Sequence, residues 1–397
     1  MNVNRYNLSF GFLLLANFLI LLYCANNFSI SAAEADIYFN STNSLLYYIT
    51  NLSTSIFGQN DITLRLPFIL FYLGSSVLLY LLTDDYFKKK VDRIIALSIF
   101  MILPGIYSAA LLVNEAIIVV FCTLLYLYLY KLTNKEHYIL LIVYLFIDNS
   151  FAILYLALFF YSLRKKDNVL LIVSLTLFGF SMSMYGFDIG GRPKGYFLDT
   201  FGIYASIFSP ILFLYFFYSL YRVGLKYDKD LYWYISITAL GLSLLFSFRQ
   251  RVNIEDFAPF VVISVPIMVK LFMHSLRIRL KIFRLKYYII AYISIGILIL
   301  NILVFVFNKY LYIFLDNPQK HFAYKYHIVK ELAQNLKKEN IYEVYSYDKT
   351  LQNRLKFYDI KSLSKYILSD KTNKNCRKID IKYFNIVVKS YCIKNSI

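Results

Sequence analysis

Charged side chains are scarce in this chain. They make up 17% of its 397 residues, whereas hydrophobic residues make up 59%. A soluble domain carries about 25% charged residues and could not bury this much apolar surface in one core. The sequence also lacks a Walker loop, a GxGxxG turn, a GxSxG elbow and any Cys/His spacing typical of zinc. Lipid is therefore the expected solvent for most of the chain, and no soluble nucleotide site is indicated.

Long apolar segments are what the sequence has instead. The first, residues 8–25, is long enough to span and is followed by no small-residue cleavage site, so we expect it to remain in the protein. Segment 138–163 is too long for one untilted helix and contains Asp148, Asn149 and Ser150, which predicts a hairpin of two short helices. The predicted fold is a polytopic all-α membrane protein of about eleven spans, at 8–26, 64–82, 94–109, 112–130, 138–163, 168–186, 203–221, 231–248, 258–274 and 286–308.

The short loops predict the orientation of these spans. One alternating set of loops, with Arg5, holds eighteen Lys and Arg, and the opposite set holds four. Short basic loops are retained in the cytoplasm, so the N-terminus is predicted inside and the tail after residue 308 outside. This pattern indicates a bacterial inner membrane, and it accounts for much of the formal charge of +18 without a nucleic-acid partner.

Residues 309–397 form a predicted small α/β domain on the periplasmic side, separate from the transmembrane domain 1–308. A helix is expected at 321–337 and strands at 341–347 and 383–388. The tail carries eighteen basic and eight acidic residues. Its two cysteines, Cys376 and Cys392, would permit a disulfide in an oxidising compartment.

Acidic residues at the outer ends of the spans are the first candidates for chemistry. The outer loop 28–63 holds Glu34 and Asp36, no Lys or Arg, and a segment at 43–57 with the spacing of an interfacial helix. Glu115 lies beside Asn114 at the outer end of a span, where an acid is costly unless it faces a polar cavity. The alternative for each acid is simple solvation or charge balance.

Basic residues near the same outer ends are candidates for binding a phosphate. Arginine suits phosphate because its planar guanidinium can donate two parallel hydrogen bonds. Charge balance with neighbouring acids is the alternative here as well. The candidates are Arg65, Arg192, Lys194, Arg249 and Arg251.

These features together resemble the GT-C membrane glycosyltransferases, especially the family 39 branch with protein O-mannosyltransferases and the lipid A aminoarabinose transferase. The segment from Glu34 to Tyr38 is similar to the acid and tyrosine that follow the first span in that branch, although Ala35 replaces its second acid. Other similar features are Phe57-Gly58, Leu64-Arg65-Leu66-Pro67, Glu115 with Phe121, the hairpin at 138–163, the loop at 187–202, and Arg251 with Pro259.

The resemblance implies transfer of a sugar from a polyprenyl-phosphate donor to a hydroxyl acceptor with inversion. Glu34, with Asp36 as the substitute, would then take the acceptor proton. Glu115 would position the acceptor or hold a divalent metal ion with Glu34, and Tyr38 and Asn114 would support the site. The basic candidates would stabilise the leaving phosphate.

Two other classes of function stay open. A transporter or flippase of a glycolipid or anion would need charges near the bilayer midplane or broken inverted repeats, and neither is evident. A polysaccharide polymerase, or a non-catalytic partner, could be built on similar spans with basic outer loops.

Overall fold

The computed structural model describes residues 2–186, 195–363, 366–370 and 376–395. Helices dominate it, because backbone polar groups in lipid must be paired within a helix or a closed barrel. The α-helices are α1 (Asn2–Asn27), α2 (Ala32–Phe39), α3 (Leu45–Phe57), α4 (Asp61–Leu82), α5 (Lys90–Ile102), α6 (Pro104–Leu111), α7 (Ala116–Thr133), α8 (Tyr138–Leu145), α9 (Phe151–Lys165), α10 (Asn168–Tyr185), α11 (Phe197–Phe208), α12 (Pro210–Lys226), α13 (Leu231–Ser247), α14 (Ile254–Val261), α15 (Val265–Ile278), α16 (Lys281–Val306), α17 (Val329–Lys338) and α18 (Lys349–Phe357). Short 3-10 helices and four strands complete the chain, at Val262–Ser264, Asn308–Phe314, Pro318–Lys320, Tyr324–Tyr326, β1 (Tyr345–Ser346), β2 (Tyr366–Ser369), β3 (Arg377–Tyr383) and β4 (Ile386–Asn395).

The long apolar helices confirm a multi-pass membrane protein. Within the described ranges, six helical segments are long and apolar enough to cross a membrane, and the number rises to eight if each of two bent pairs is one span. The figure of about eleven spans stays a prediction. The six segments are Arg5–Asn27, Asp61–Leu82, Ala116–Thr133, Asn168–Tyr185, Ile254–Ile278 and Lys281–Val306.

Two prolines break helices that the sequence pattern predicted as continuous at 94–109 and 203–221. Helices α5 and α6 meet at Pro104 with a bend of 55°, and α11 and α12 meet at Pro210 with a bend of 104°. Proline has no N–H for the helical ladder, and its ring clashes with the preceding turn. Hydropathy alone does not show such a break, because the residues on both sides are apolar.

The hairpin predicted at 138–163 is confirmed as two helices, α8 and α9, joined by a turn at 146–150. The backbone N–H of Ser150 donates a hydrogen bond to Asp148 Oδ1 at 2.8 Å inside this turn. An Asp side chain that accepts a hydrogen bond from a backbone N–H two residues later favours a turn over a continuous helix. The polar triplet therefore breaks the helix and places Asp148 at the tip of the hairpin.

The chain folds as two compact units. The first comprises Met1–Phe18, Leu70–Ala110 and Asn114–Ile302, and the second comprises Leu19–Ile69, Leu111–Val113 and Leu303–Ile397. The second unit thus groups the first outer loop with the C-terminal tail. The division of the chain at residue 308 stays a prediction.

The tail contains the predicted α/β arrangement. Its four-stranded sheet has the order β1-β2-β4-β3, with β1 parallel to β2 and the other pairs antiparallel. The core below it includes Leu332, Leu336 and Leu355. The predicted helix begins only at Val329, and the predicted strand 383–388 is a hairpin whose turn, Phe384 and Asn385, has positive φ. A disulfide joins Cys376 to Cys392, whose Cα atoms are 5.6 Å apart.

Candidate functional site

Glu115 lies directly before α7 and close enough to Asp148 for the charge of that carboxylate to act on it. Two carboxylates this close repel each other, which disfavours the ionised form of Glu115. Glu115 was predicted from the sequence as a candidate site residue, whereas Asp148 was predicted only to interrupt a helix. The hairpin turn is what brings Asp148 to Glu115.

The pKa of Glu115 is raised above its ordinary value. Burial is the main cause, and the negative charge of Asp148 adds to it, followed by smaller effects of Asp256 and Glu255. Both causes disfavour the ionised form. A carboxylate that is harder to ionise is a stronger base once it has lost its proton, which suits acceptance of a hydroxyl proton near neutral pH.

A polar cavity of about 310 Å³ begins at the same turn, in the first unit. Apolar side chains, mainly of α9, α10 and α13, form most of its wall, and several polar residues line the remainder. Asp256, one of the charges that act on Glu115, lines it, so the cavity lies next to the carboxyl pair. The polar lining residues are Asn149, Ser150, Gln250, Arg251, Asn253 and Asp256.

Two buried polar atoms at this place lack a hydrogen-bond partner within the described residues. They are Asn114 Oδ1 and Ser150 Oγ. A buried polar atom left unpaired costs about 1–3 kcal/mol, so such atoms in a folded protein usually meet water or a ligand. The site therefore offers hydrogen-bonding groups to a hydroxyl-rich ligand.

The basic candidates differ in how the structure places them. Arg249 and Arg251 are exposed, Arg251 lines the cavity, and neither forms an ion pair with any residue that the structure describes. Their guanidinium groups are therefore available to a phosphate. Arg192 and Lys194 lie outside the described residues, and their roles stay predictions.

Glu34 lies in the second unit, on the short helix α2, where it is buried with an exposed fraction of 3%. Its Oε2 accepts the backbone N–H of Ser31 at 2.8 Å while Ser31 Oγ accepts the N–H of Glu34 at 3.2 Å, which forms a capping box. Its Oε1 accepts the backbone N–H of Val113 at 3.3 Å. This burial excludes simple solvation, which was the alternative to a role of Glu34 at the site.

Arg65 is fully buried and forms an ion pair with Glu34 at 2.8 Å. Its guanidinium also donates to the backbone carbonyls of Ala25, Phe28 and Ser29. The prediction that Arg65 binds the donor phosphate does not fit this arrangement, because four acceptors of the protein itself surround its terminal nitrogens. Arg65 instead fixes the start of the first outer loop to α4.

Asp36 and Tyr38 face different surroundings on the same helix. Asp36 is exposed, and its Oδ1 accepts a hydrogen bond from Asn40 Nδ2 at 2.6 Å. Tyr38 is buried, and its hydroxyl is 3.1 Å from Thr54 Oγ1 on α3. Asp36 is thus accessible to solvent, whereas Tyr38 packs α2 against α3. Their parts in the site stay predictions.

Helix α3 confirms that residues 43–57 form a helix, and it exposes an apolar stripe. Tyr48, Leu52 and Ile56 are each more than 60% exposed, whereas Thr50 and Thr54 are buried. Residues four apart lie on one face of a helix, so the three side chains form one stripe. Apolar side chains of α3 thus face outward while hydroxyl side chains are buried, which is the pattern expected of a helix that lies in the membrane interface.

Residues of the tail bind the first outer loop, and no pattern in the sequence predicted these contacts. Arg354 Nε donates to the carbonyl of Ile30 at 2.7 Å, and the hydroxyl of Tyr358 donates to Asp61 Oδ1 at 2.6 Å. Asp61 also forms an ion pair with Lys330 at 2.9 Å. These partners are about 270–325 residues apart in the chain, beyond the reach of any local pattern.

A divalent metal ion finds no obvious ligand set in the part of the chain that is described. There, no group of three or more His, Cys, Asp or Glu side chains is arranged to hold one. The predicted pairing of Glu34 with Glu115 around a metal stays a prediction.

Comparison with known proteins supports the predicted resemblance. The family described as dolichyl-phosphate-mannose-protein mannosyltransferase matches residues 44–162, which include Glu115, Asp148 and Arg65. No curated protein matches significantly in sequence. The crystal structure of ArnT from Cupriavidus metallidurans in the apo state is similar over 91% of this chain and 86% of that chain, with 11% identity and a TM-score of 0.49. The resemblance of this chain to the GT-C membrane glycosyltransferases is confirmed through residues 44–162.

Proposed function

We propose that this protein transfers a sugar from a polyprenyl-phosphate donor to a hydroxyl acceptor at the outer face of a bacterial inner membrane. The observation that carries the proposal is the carboxyl pair of Glu115 and Asp148 beside a polar cavity that Arg251 also lines. A proton acceptor and a phosphate-binding group are the two parts that such a transfer needs.

Each part has one task in the reaction. Glu115, in its ionised form, takes the proton of the acceptor hydroxyl as the acceptor oxygen bonds to the anomeric carbon. The bond from that carbon to the phosphate oxygen breaks, and the electron pair leaves with the polyprenyl phosphate. Attack from the face opposite the phosphate inverts the anomeric configuration. Arg251, with Arg249, stabilises the charge gathered on the leaving phosphate.

This proposal moves the proton acceptor from Glu34 to Glu115. Glu34 accepts hydrogen bonds from Arg65, Ser31 and Val113, and it would have to give up some of them to reach a substrate. The buried guanidinium of Arg65 also depends on the Glu34 carboxylate as its ion-pair partner. Glu34 is better suited to a structural role.

The test of the function is sugar transfer by the full chain in membrane vesicles. The vesicles receive labelled polyprenyl-phosphate sugars, and matched nucleotide sugars serve as controls. We expect label in lipid, glycan or protein acceptors only with the polyprenyl-phosphate donors. Transfer from nucleotide sugars alone would contradict the proposed donor. No transfer from a broad donor panel would favour a flippase or a polymerase.

The pH dependence of transfer tests the carboxyl pair. The charge of Asp148 raises the pKa of Glu115, so Asp148→Asn removes that effect and lowers the pKa of Glu115. The rate requires ionised Glu115, and therefore the acid limb of the pH–rate profile should move to lower pH. The comparison is the pH–rate profile of wild type. An unmoved limb would show that the pair does not control the rate.

The location of the tail outside the cytoplasm is part of the proposal, and the disulfide supports it. Disulfides persist in oxidising compartments and are rare in the cytoplasm. In denatured protein from whole cells, a thiol reagent should label only Cys24 and Cys122 before reduction and two further cysteines after it. Cys376→Ser is the matched control and should add Cys392 to the unreduced set. Four labelled thiols in unreduced wild type would place the tail in the cytoplasm.

A further inference from the structure

A second cavity, of about 230 Å³, lies among α5, α12, α15 and α16 in the first unit. Its wall is almost wholly apolar, with Ile99, Leu212, Phe272 and Ile295 from the four helices. The hydroxyl of Ser294, which also lines it, already donates to the carbonyl of Ile290 at 2.8 Å. A cavity with an almost wholly apolar wall is suited to a hydrocarbon more than to water.

Helix α16 closes this cavity only loosely. Of the 26 residues of α16, only Ser294 and Leu298 are buried. Tyr292, which lines the cavity, is 71% exposed. The cavity is therefore accessible from the lipid beside α16, so an alkyl chain could enter it from the bilayer.

The end of the cavity coincides with a strongly basic segment. The lining residues Leu276 and Tyr288 flank the connection of α15 and α16, which carries five basic residues within ten positions. Of these five, Arg277 alone forms an ion pair among the described residues, with Asp92. The five residues are Arg277, Arg279, Lys281, Arg284 and Lys286.

The arrangement of this segment leaves its positive charge unbalanced. Arg279 stacks over the ring of Tyr287 at 4.0 Å, and its buried Nε has no hydrogen-bond partner within the described residues. Arg284 Nε donates to the carbonyl of Arg279 at 2.7 Å, a hydrogen bond that stabilises the turn but does not offset the positive charge of the segment. Lys281 and Lys286 are exposed. An anionic group is the chemistry that would complete the segment.

We infer that this cavity and its basic segment bind one anionic phospholipid of the bilayer, with an acyl chain between α15 and α16 and the phosphate at Arg279, Lys281 and Lys286. Basic pockets between spans on one side of a membrane bind anionic headgroups in this way. The segment Ile254–Ile278 is 25 residues long, so about 37 Å of helix separates this place from Arg251. The bound phosphate is therefore not that of the sugar donor.

Thermal unfolding of the purified full chain in a neutral detergent tests the site. Dioleoyl phosphatidylglycerol, dioleoyl phosphatidylcholine or polyprenyl phosphate is added at one matched mole fraction. We expect phosphatidylglycerol to raise Tm by about 2–4 °C more than phosphatidylcholine does, since a ligand that binds only the folded state stabilises it. Native mass spectrometry should show one retained phosphatidylglycerol.

Two variants separate the headgroup from the chain. Lys281→Gln with Lys286→Gln should remove the preference for phosphatidylglycerol, and Ala291→Phe, which fills the cavity, should remove retention of any lipid. Lys135→Gln with Lys166→Gln removes the same charge from other loops and should keep the preference. Equal shifts by both phospholipids, or an equal loss in the control, would overturn the inference. A shift by polyprenyl phosphate alone would overturn it in favour of a carrier-lipid site.

Discussion

Glu115→Gln is expected to lower the rate of sugar transfer by about 10²–10⁴, the usual contribution of a general base. Glutamine keeps the size and the hydrogen-bonding shape of the side chain but cannot accept a proton from the acceptor. Glutamine also carries no charge that burial or Asp148 would disfavour, so the folded protein should not lose stability. The loss should therefore appear in the rate of transfer at equal protein abundance and equal Tm.

The matched control for this variant is Glu255→Gln. Glu255 is exposed, and its effect on Glu115 is the smallest of the neighbouring charges. We expect transfer within a few-fold of wild type for this control. The contrary result would be full transfer by Glu115→Gln together with loss of transfer, at unchanged Tm, in Glu34→Gln. That outcome would return the role of the base to Glu34.

The second large effect concerns the buried ion pair. Arg65→Met should lower the stability of the protein by about 3–5 kcal/mol, because it leaves the carboxylate of Glu34 buried without its partner. With a shift of about 2–4 °C per kcal/mol, Tm should fall by about 6–20 °C. Unfolding of purified protein, followed by the fluorescence of a dye on newly exposed thiols, measures this shift.

A double-mutant cycle separates the pair from its surroundings. Glu34→Gln alone should cost less than Arg65→Met, because Arg65 still donates to the backbone carbonyls of Ala25, Phe28 and Ser29. The double variant should be more stable than the sum of the two single losses predicts, since no buried charge remains. Strict additivity would show that the pair contributes nothing as a pair.

The sequence predicted features that depend on composition and on local spacing. Hydropathy predicted a multi-pass protein, the polar triplet at Asp148 predicted the hairpin, and the cost of an acid at a span end singled out Glu115. Each of these follows from the physics of a short segment in lipid. Pro104 and Pro210 can be read directly in the sequence, but a hydropathy profile does not show that they break the helices.

Partners distant in the sequence could not be predicted. The local sequence left Glu34 open to a role at the site or to simple solvation, and only the folded loop brings Arg65 to it, 31 residues later. The pairing of Glu115 with Asp148 likewise depends on how two spans pack. Long-range pairs of this kind are set by tertiary packing, which no periodicity within one helix records.

The contacts between the tail and the first outer loop can form only late in the synthesis of the chain. Ile30 is made 324 residues before Arg354, the side chain that binds its carbonyl. At about 5–20 residues per second, the ribosome needs about 16–65 s to bridge that interval. During this time the loop has been made and its partners on α18 have not. The first outer loop is therefore made well before the residues of α18 that bind it, and it exists for that interval without these contacts.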